Sequence, residues 1–387
     1  MKKLLMIVLV LMLLTGSASA AILEADKPML DYEERLGIQA QRGVVLCKSL
    51  SVHAEPNGRS RKITTLTAGD SFITWESENG WYNCYYDEGK DVAWVRSAYV
   101  VLDPMYGVSK TSLSTILLTA RCDVDVIHER HDTLFGGRLP APTSSTLAAL
   151  RTFVVENNCD IGLATDGDAD RIGVIDDEAN FLHPNEILVL LYYYLVRYKG
   201  WRGPAVRNIA TTHLLDKVAE SYGETCYEVP VGFKHISAKM IETNAVIGGE
   251  SSGGLTVRGH IQGKDGIYAA ALLVEMLAVT GRKLTEIYKE ITDEFGEFKM
   301  AERDYRFTQQ RKQEINHLLM VEKKLPEFST EVDHVSYMDG CKVYFKNGGW
   351  IICRFSGTEP LIRIFCEMST MEQADRVADE MKTFLGL

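Results

Sequence analysis

The sequence predicts a multidomain chain: a small all-β barrel, then two α/β three-layer domains, then a C-terminal α+β domain. Three observations carry that reading. Short β-prone runs punctuated by Gly, Asn and Asp fill residues 43–99, the texture of a small barrel. From Ala98 onward strand-like apolar runs alternate with helix-like segments, which implies parallel-rich sheets covered by helices. After Gly296 scattered strands and two helices replace that alternation. A length of 387 residues leaves room for roughly three or four such units.

Each element follows in order. Lys2 and Lys3 precede the apolar run Leu4–Leu14 and the small-residue end Thr15-Gly16-Ser17-Ala18-Ser19-Ala20. This is the layout of a signal peptide over residues 1–20, cleaved after Ala20, with an uncleaved anchor as the alternative. Residues 21–42 read as a polar linker. The barrel strands are expected at Val44–Leu46, Leu50–His53, Lys62–Leu66, Ser71–Glu76, Trp81–Tyr86 and Val92–Val95. The second domain, 100–200, opens with Val100–Leu102 and a turn at Gly107. It continues with a helix over Leu113–Ala120, a strand at Val124–Ile127, a helix over Thr146–Val155 and a strand at Ile161–Ala164. Its last helix, Glu186–Lys199, ends at Gly200; its apolar stretch is too short to span a bilayer and reads as a buried core helix. The third domain, 201–297, repeats the βα rhythm through Ala205–Ala210, Leu214–Ser221, Cys226–Val229, Ile236–Ile241, Val246–Ile247 and Ile267–Val279. In the fourth, 298–387, the final helix opens with a capping box of Ser369 and Glu372. It places Ala374, Val377, Ala378, Met381 and Leu385 on one face.

Composition excludes some partners. A formal charge of −11 gives no general attraction to nucleic acid or acidic membrane surfaces. No nucleic acid is expected as a partner, and no membrane span once the leader is removed. An anionic ligand would need a local basic cluster. The 8 cysteines form no CxxC pair and resemble buried thiols more than a disulfide framework; Cys47 and Cys84 alone fall in one small unit.

Three strings carry chemistry. In Asp166-Gly167-Asp168-Ala169-Asp170-Arg171 the carboxylates alternate, so an extended or tightly looped backbone turns them toward one point. Hard oxygen ligands whose charges repel suit a divalent cation such as Mg²⁺, and Arg171 adds a planar fork of donors for a phosphate. An EF-hand fits poorly, because its sixth and twelfth positions hold Arg171 and Asp177. A solvated acidic turn is the plainer alternative. Gly248-Gly249-Glu250-Ser251-Ser252-Gly253-Gly254 puts a carboxylate and hydroxyls on backbone free to approach a ligand. It suits paired sugar hydroxyls, with a flexible turn of equal weight. Arg354-Phe355-Ser356-Gly357-Thr358-Glu359-Pro360 with Arg363 collects guanidinium, hydroxyl and backbone donors, a nest for a phosphate dianion and the basic cluster sought above.

Two resemblances follow from these residues. Leu50-Ser51-Val52-His53, Gly69-Asp70, Gly80-Trp81-Tyr82, Ala93-Trp94-Val95 and Tyr99 resemble the bacterial Src-homology-3-like domains. That resemblance implies a cell-wall peptide or glycan as partner, although Trp81 and Trp94 read first as core residues. From about Val100 to the C-terminus the three strings, in this order, resemble the α-D-phosphohexomutase superfamily of phosphoglucomutases and phosphomannomutases. Asp103-Pro104-Met105-Tyr106-Gly107, Pro230-Val231-Gly232-Phe233-Lys234 and Gly263-Lys264-Asp265-Gly266 support it.

The resemblance implies roles. Asp166, Asp168 and Asp170 would hold Mg²⁺, and Arg171 would be the catalytic residue beside the transferring phosphate. Glu250 and Ser252 would bind sugar hydroxyls, with Lys234 and Lys264 as further substrate contacts. Arg354, Ser356, Gly357, Thr358 and Arg363 would grip the non-reacting phosphate. The implied reaction moves a phosphoryl group between C1 and C6 of a hexose phosphate, with a hexose bisphosphate as activator; gluco, manno and amino sugars stay open. The family's first domain carries a phosphoserine in a Thr-Ala-Ser-His-Asn-type loop, and no such string occurs here. Tyr99–Asp103 is expected to serve both as the barrel's last strand and as the first strand of the second domain.

Three readings therefore stand: a family enzyme, truncated or complemented by a partner chain; an exported cell-wall or phosphosugar binding protein without catalysis; or a fused reading frame. The leader directs the chain to secretion or the cell envelope, whereas the mutase family is cytoplasmic.

Overall fold

A computed structural model describes residues 41–44, 50–56, 60–67, 70–75, 77–78, 81–86, 91–96, 98–120, 122–356 and 361–387. The signal peptide over 1–20, the linker up to residue 40, Cys47, Gly357 and Thr358 lie outside the described residues. The chain divides into two compact units. One comprises residues 1–100, 114–125 and 274–282, the other 101–113, 126–273 and 283–387.

The N-terminal strands are β1 (Gln41–Val44), β2 (Leu50–His53), β3 (Lys62–Leu66), β4 (Ser71–Thr74), β5 (Ser77–Glu78), β6 (Trp81–Tyr86) and β7 (Asp91–Arg96). β1 pairs antiparallel with β4, and a five-stranded sheet runs β3-β2-β7-β6-β5. Among the described residues these two ladders do not close into a barrel. Val52, Cys84, Ala93 and Val95 form their core; Trp81 is buried and Trp94 half-buried. Neither belongs to that core cluster: along β6 and β7 they alternate with the core residues, and Trp81 meets the His53 ring edge-on at 5.2 Å.

The next elements are β8 (Tyr99–Asp103), α1 (Ser109–Thr119), β9 (Asp123–Val126), α2 (Ala148–Asn157), β10 (Ile161–Thr165), β11 (Ile172–Ile175), β12 (Phe181–Leu182) and α3 (Pro184–Tyr193). Their sheet has the order β12-β11-β10-β8-β9. β8 belongs to this sheet and to none of the N-terminal ladders, so the expected sharing of Tyr99–Asp103 between two domains is not seen among the described residues. The β10–β11–β12 segment is antiparallel, against the parallel-rich expectation. The connection 166–171 is too short for a crossover, which needs about a dozen residues, so the chain must turn back as a hairpin. All of α3 from Asn185 to Tyr193 is buried, apart from a half-buried Glu186, as a core helix requires.

A four-stranded sheet follows. It is built from β13 (Ala205–Asn208), α4 (Leu214–Ser221), β14 (Cys226–Val229), α5 (Phe233–Thr243), β15 (Ile247–Gly249) and β16 (Leu255–Val257), then α6 (Gly266–Thr280) and α7 (Leu284–Phe295). The order is β14-β13-β15-β16, with β13 parallel to both neighbours and β16 antiparallel. The C-terminal part contains β17 (Lys299–Arg306), α8 (Gln309–Asn316), β18 (Val332–Ser336), β19 (Cys341–Phe345), β20 (Trp350–Phe355), β21 (Leu361–Met368) and α9 (Met371–Leu385). It is antiparallel throughout, in the order β17-β21-β20-β19-β18. α9 buries the expected face. Its cap is Thr370 rather than Ser369: the Thr370 hydroxyl accepts from Gln373 N–H, while Ser369 donates to the Gln373 side chain. Thr370 lies one residue nearer the first turn, within reach of its free N–H groups.

A buried ionic cluster ties β19 to β13 and β14. Lys342 is fully buried; its Nζ donates to the Ile209 carbonyl and to Glu228 Oε2, each at 2.7 Å. It lies 4.3 Å from the centre of the Trp350 ring. Arg207 donates to the same Glu228 oxygen at 2.6 Å and holds Asp216 with two further donors. Burial opposes ionisation of Glu228, but His213, Arg207 and Lys342 outweigh it and hold the carboxyl below its ordinary range. One carboxylate is thus shared by a buried lysine and a buried arginine, the arginine being held by Asp216 as well. Glu228→Ala is expected to cost about 3–5 kcal/mol in urea denaturation. The same group makes stability pH-dependent. Its contribution is complete above its unfolded pKa of about 4.3 and is lost as pH falls through the lower folded value. In acid the difference between wild type and Glu228→Ala therefore shrinks, a trend that denaturation at pH 7 and below pH 4 will check.

Candidate functional site

The acidic string is the six-residue connection of the β10–β11 hairpin, whose register runs to Thr165↔Ile172. Ala169 N–H donates to the Asp166 carbonyl at 3.1 Å, and Ala169 itself is left-handed at φ 64°. This tight loop turns Asp166, Asp168 and Asp170 together, each offering one oxygen within 4.8 Å of the others. Asp166 is buried, Asp170 half-buried and Asp168 exposed. Burial raises the Asp166 carboxyl above its ordinary value, against hydrogen bonds from Arg171. Arg171 donates to Asp166 twice, from its backbone N–H at 2.9 Å and from Nε at 2.5 Å. Its Nη donors are left as the ones to meet a ligand. Three carboxylates graded from buried to exposed, all hard oxygen donors, fit a divalent cation open to solvent on one side.

Backbone contacts seat this loop. Val108 N–H donates to the Gly167 carbonyl at 3.2 Å, and a Cβ on Gly107 would fall 2.5 Å from that oxygen. On the other side, Ile172 N–H donates to the Gly253 carbonyl at 3.2 Å and Arg171 bridges to Gly254. Gly266 N–H donates to the Ala169 carbonyl at 3.0 Å. Lys264 forms an ion pair with Asp170, and a Cβ on Gly254 would overlap its stem at 2.2 Å. The acidic loop and the Gly-rich loop are therefore laced edge to edge, with Lys264 between them.

The Gly-rich loop joins β15 to β16. Glu250 sits in it nearly buried, and its Oε1 accepts from Asn208 Nδ2 at 3.2 Å and Gly232 N–H at 3.1 Å. Ser251 N–H donates to Thr211 Oγ1 at 3.1 Å, and Ser252 is exposed. Lys234 is exposed in the first turn of α5, two residues past Gly232. In the C-terminal sheet Arg354 and Arg363 are cross-strand partners on β20 and β21, so both side chains share one face. Arg354 Nε donates to Asp339 Oδ2 at 2.9 Å. Arg363 lies opposite Asp304 and pairs with it at 3.7 Å. Ser356 is buried, its N–H donating to the Leu361 carbonyl at 2.9 Å.

The structure thus brings Asp166, Asp168, Asp170, Arg171, Lys264 and the Glu250 loop together, and Arg354 with Arg363. Sequence reasoning passed over Asn208, Thr211 and Asp339. Each lies far along the chain from the residue it holds, so no local string could show it. The Asp339-Gly340 turn signal between two β-prone runs was the one legible hint.

Comparison with known proteins bears on this arrangement. Residues 85–179 match the family model for phosphoglucomutase/phosphomannomutase alpha/beta/alpha domain II. Residues 183–295 match alpha/beta/alpha domain III of the same family, and residues 312–383 its C-terminal domain. The chain is 32% identical over 279 residues to a phosphoglucomutase/phosphomannomutase of Thermococcus kodakarensis, covering 72% of this chain and 59% of that protein. It is 31% identical to a protein of Methanopyrus kandleri named "Probable phosphoglucosamine mutase", covering 73% of this chain and 60% of the other. A solved phosphoglucomutase/phosphomannomutase family protein from Burkholderia thailandensis shares the fold at a TM-score of 0.63 and 21% identity, over 75% of this chain and 60% of that one. The chain thus spans about 60% of the length of the curated relatives it matches.

The close seat of the acidic loop is testable. In Gly107→Ala the new methyl meets the rigid Gly167 carbonyl, so the loop must shift, at an expected cost of about 1–3 kcal/mol. Calorimetric melting with and without Mg²⁺ should show a lower Tm and a smaller metal-induced increase.

Proposed function

The chain belongs to the phosphoglucomutase/phosphomannomutase family, and from that premise we propose that it binds a hexose phosphate beside Mg²⁺ and supports phosphoryl transfer between C1 and C6. The observation that carries the proposal is the lacing of the acidic loop to the Glu250 loop through Arg171, Gly253, Gly254 and Lys264. A cation-binding group and a sugar-hydroxyl group on two joined loops suit a substrate whose reacting phosphate sits next to its ring.

In this proposal Asp166, Asp168 and Asp170 hold the ion, which when bound offsets the charge that gathers on phosphoryl oxygens during transfer. Arg171 steadies the same phosphate with its Nη donors, its Nε being held by Asp166. Glu250, oriented by Asn208 and Gly232, accepts from a sugar hydroxyl, with Ser252 beside it. Lys234 and Lys264 contact the substrate, the latter by exchanging Asp170 for a phosphate oxygen. Arg354, Ser356, Gly357, Thr358 and Arg363 receive the second phosphate, so that a hexose bisphosphate can occupy the site in either orientation. A Thr-Ala-Ser-His-Asn-type phosphoserine loop does not occur in the 387 residues. In this proposal the group that relays the phosphoryl between bisphosphate and substrate lies outside these residues, as on a partner chain.

The N-terminal part extends the proposal. Residues 1–20 act as an export signal, 21–42 as a linker and 43–99 as a Src-homology-3-like barrel facing cell-wall peptide or glycan. Domains of the mutase family then occupy 100–200, 201–297 and 298–387. Intact-mass measurement of fractionated cells tests the leader by the loss of residues up to Ala20.

Two measurements test the chemistry. Titration calorimetry should detect glucose 6-phosphate and Mg²⁺. Asp168→Asn, which removes an exposed charge, should weaken Mg²⁺ by about tenfold with little change in Tm. In a coupled assay with glucose 1-phosphate and a bisphosphate primer, the purified chain alone should turn over poorly. Robust turnover overturns the external-donor part of the proposal; failure to bind any hexose phosphate overturns the whole.

A further inference from the structure

We propose that Asp339 is a positioning residue that sets the distance between the sugar-hydroxyl and phosphate subsites. The inference rests on the proposed hexose-phosphate site and goes beyond it, because neither the motifs nor the family match points to this side chain.

A single oxygen carries the argument. Asp339 Oδ2 accepts from Arg354 Nε at 2.9 Å and from Val231 N–H at 2.9 Å. The next residue along the chain, Gly232, donates its N–H to Glu250 Oε1 at 3.1 Å. One carboxylate and two consecutive backbone amides therefore link the phosphate-loop arginine to the sugar-loop carboxylate. The link runs between segments matched to two different family domains. Such charge-assisted hydrogen bonds are short and directional, so the link constrains spacing as well as attraction. By holding Nε, it also leaves the outer guanidinium nitrogens of Arg354 for an anion.

The turn that presents Asp339 is itself held in place. Gly340 adopts φ 96°, and a Cβ there would fall 2.5 Å from the Cys353 carbonyl oxygen. The Asp339-Gly340 turn thus presses directly on β20 next to Arg354, in a conformation that glycine accommodates without strain. Beyond the turn, β19 is anchored by Lys342 on Glu228 and Ile209. β14, which carries Glu228, leads straight to Val231. The ionic cluster fixes the two segments at one point and Asp339 fixes them at a second, nearer the ligand.

A ruler of this kind has a signature that general stabilisation lacks. A ligand touching both subsites depends on their spacing, whereas inorganic phosphate touches one. With Mg²⁺ present, calorimetric titration of the full chain should show Asp339→Ala binding glucose 6-phosphate about tenfold more weakly. Its affinity for inorganic phosphate should change by less than about threefold. Asp339→Asn retains an oxygen acceptor in the same place and should recover glucose 6-phosphate binding to within about threefold of wild type. Thermal melting accompanies each variant, and Asp339→Ser replaces the alanine variant if that does not fold. Equal weakening of both ligands, unchanged glucose 6-phosphate affinity, or loss of the fold in both short variants overturns the inference. If wild type itself binds inorganic phosphate but not glucose 6-phosphate, the functional reading fails, and the inference with it.

Discussion

The contact on which the candidate site depends is the double hold of Arg171 on Asp166. Backbone N–H and Nε both reach the same buried carboxylate, closing the acidic loop into a ring. Without that closure the buried Asp166 would lose its compensating charge, whereas Asp170 is offset from outside the loop by Lys264. With it, the carboxylates stay within 4.8 Å of one another, and the outer face of Arg171 is free to act on a ligand. The loop also gains a flat edge, which the Gly-rich loop meets through Gly253 and Gly254.

Small residues make that meeting possible. Gly107, Gly254 and Gly266 each occupy a place where a Cβ would fall 2.2–2.6 Å from a neighbouring atom. Their importance is steric: at Gly107 and Gly266 the backbone of a neighbouring segment comes close, and at Gly254 the Lys264 stem does. The Gly-rich string, for which a sugar-hydroxyl site and a flexible turn weigh equally in isolation, is a packed seam in the folded chain. Within the same unit, a buried lysine and arginine share one glutamate. That arrangement costs desolvation and is tolerated because the partners are many and well placed. It secures β19 and, through the preceding turn with Asp339, the setting of Arg354.

Much of this was legible in residue order. Asp166, Asp168, Asp170 and Arg171 announce themselves by alternation, and their convergence needs only a tight turn. Arg354 and Arg363 were grouped as one basic cluster, and the β20–β21 register makes them direct neighbours. The α3 core helix and the apolar face of α9 followed from length and period. What was not legible arises from contacts between distant segments. Thr370 replaces Ser369 as cap because one residue of helix phase decides which hydroxyl meets the first turn. The β10–β11 hairpin replaces a parallel arrangement because strand direction is set by loop length and sheet neighbours, which apolar runs do not encode.

Local chemistry is therefore what the sequence determined alone: which stretches gather carboxylate, hydroxyl and guanidinium groups, and in what order they come. Short-range spacing suffices for that, since neighbouring residues are bound to be near one another. The tertiary structure decided how those groups face each other. Asn208 and Gly232 orient Glu250, Asp339 connects Arg354 to Val231, and Lys264 rests on Asp170. Each contact joins residues whose separation along the chain carries no information about distance until the sheets and their connections are in place.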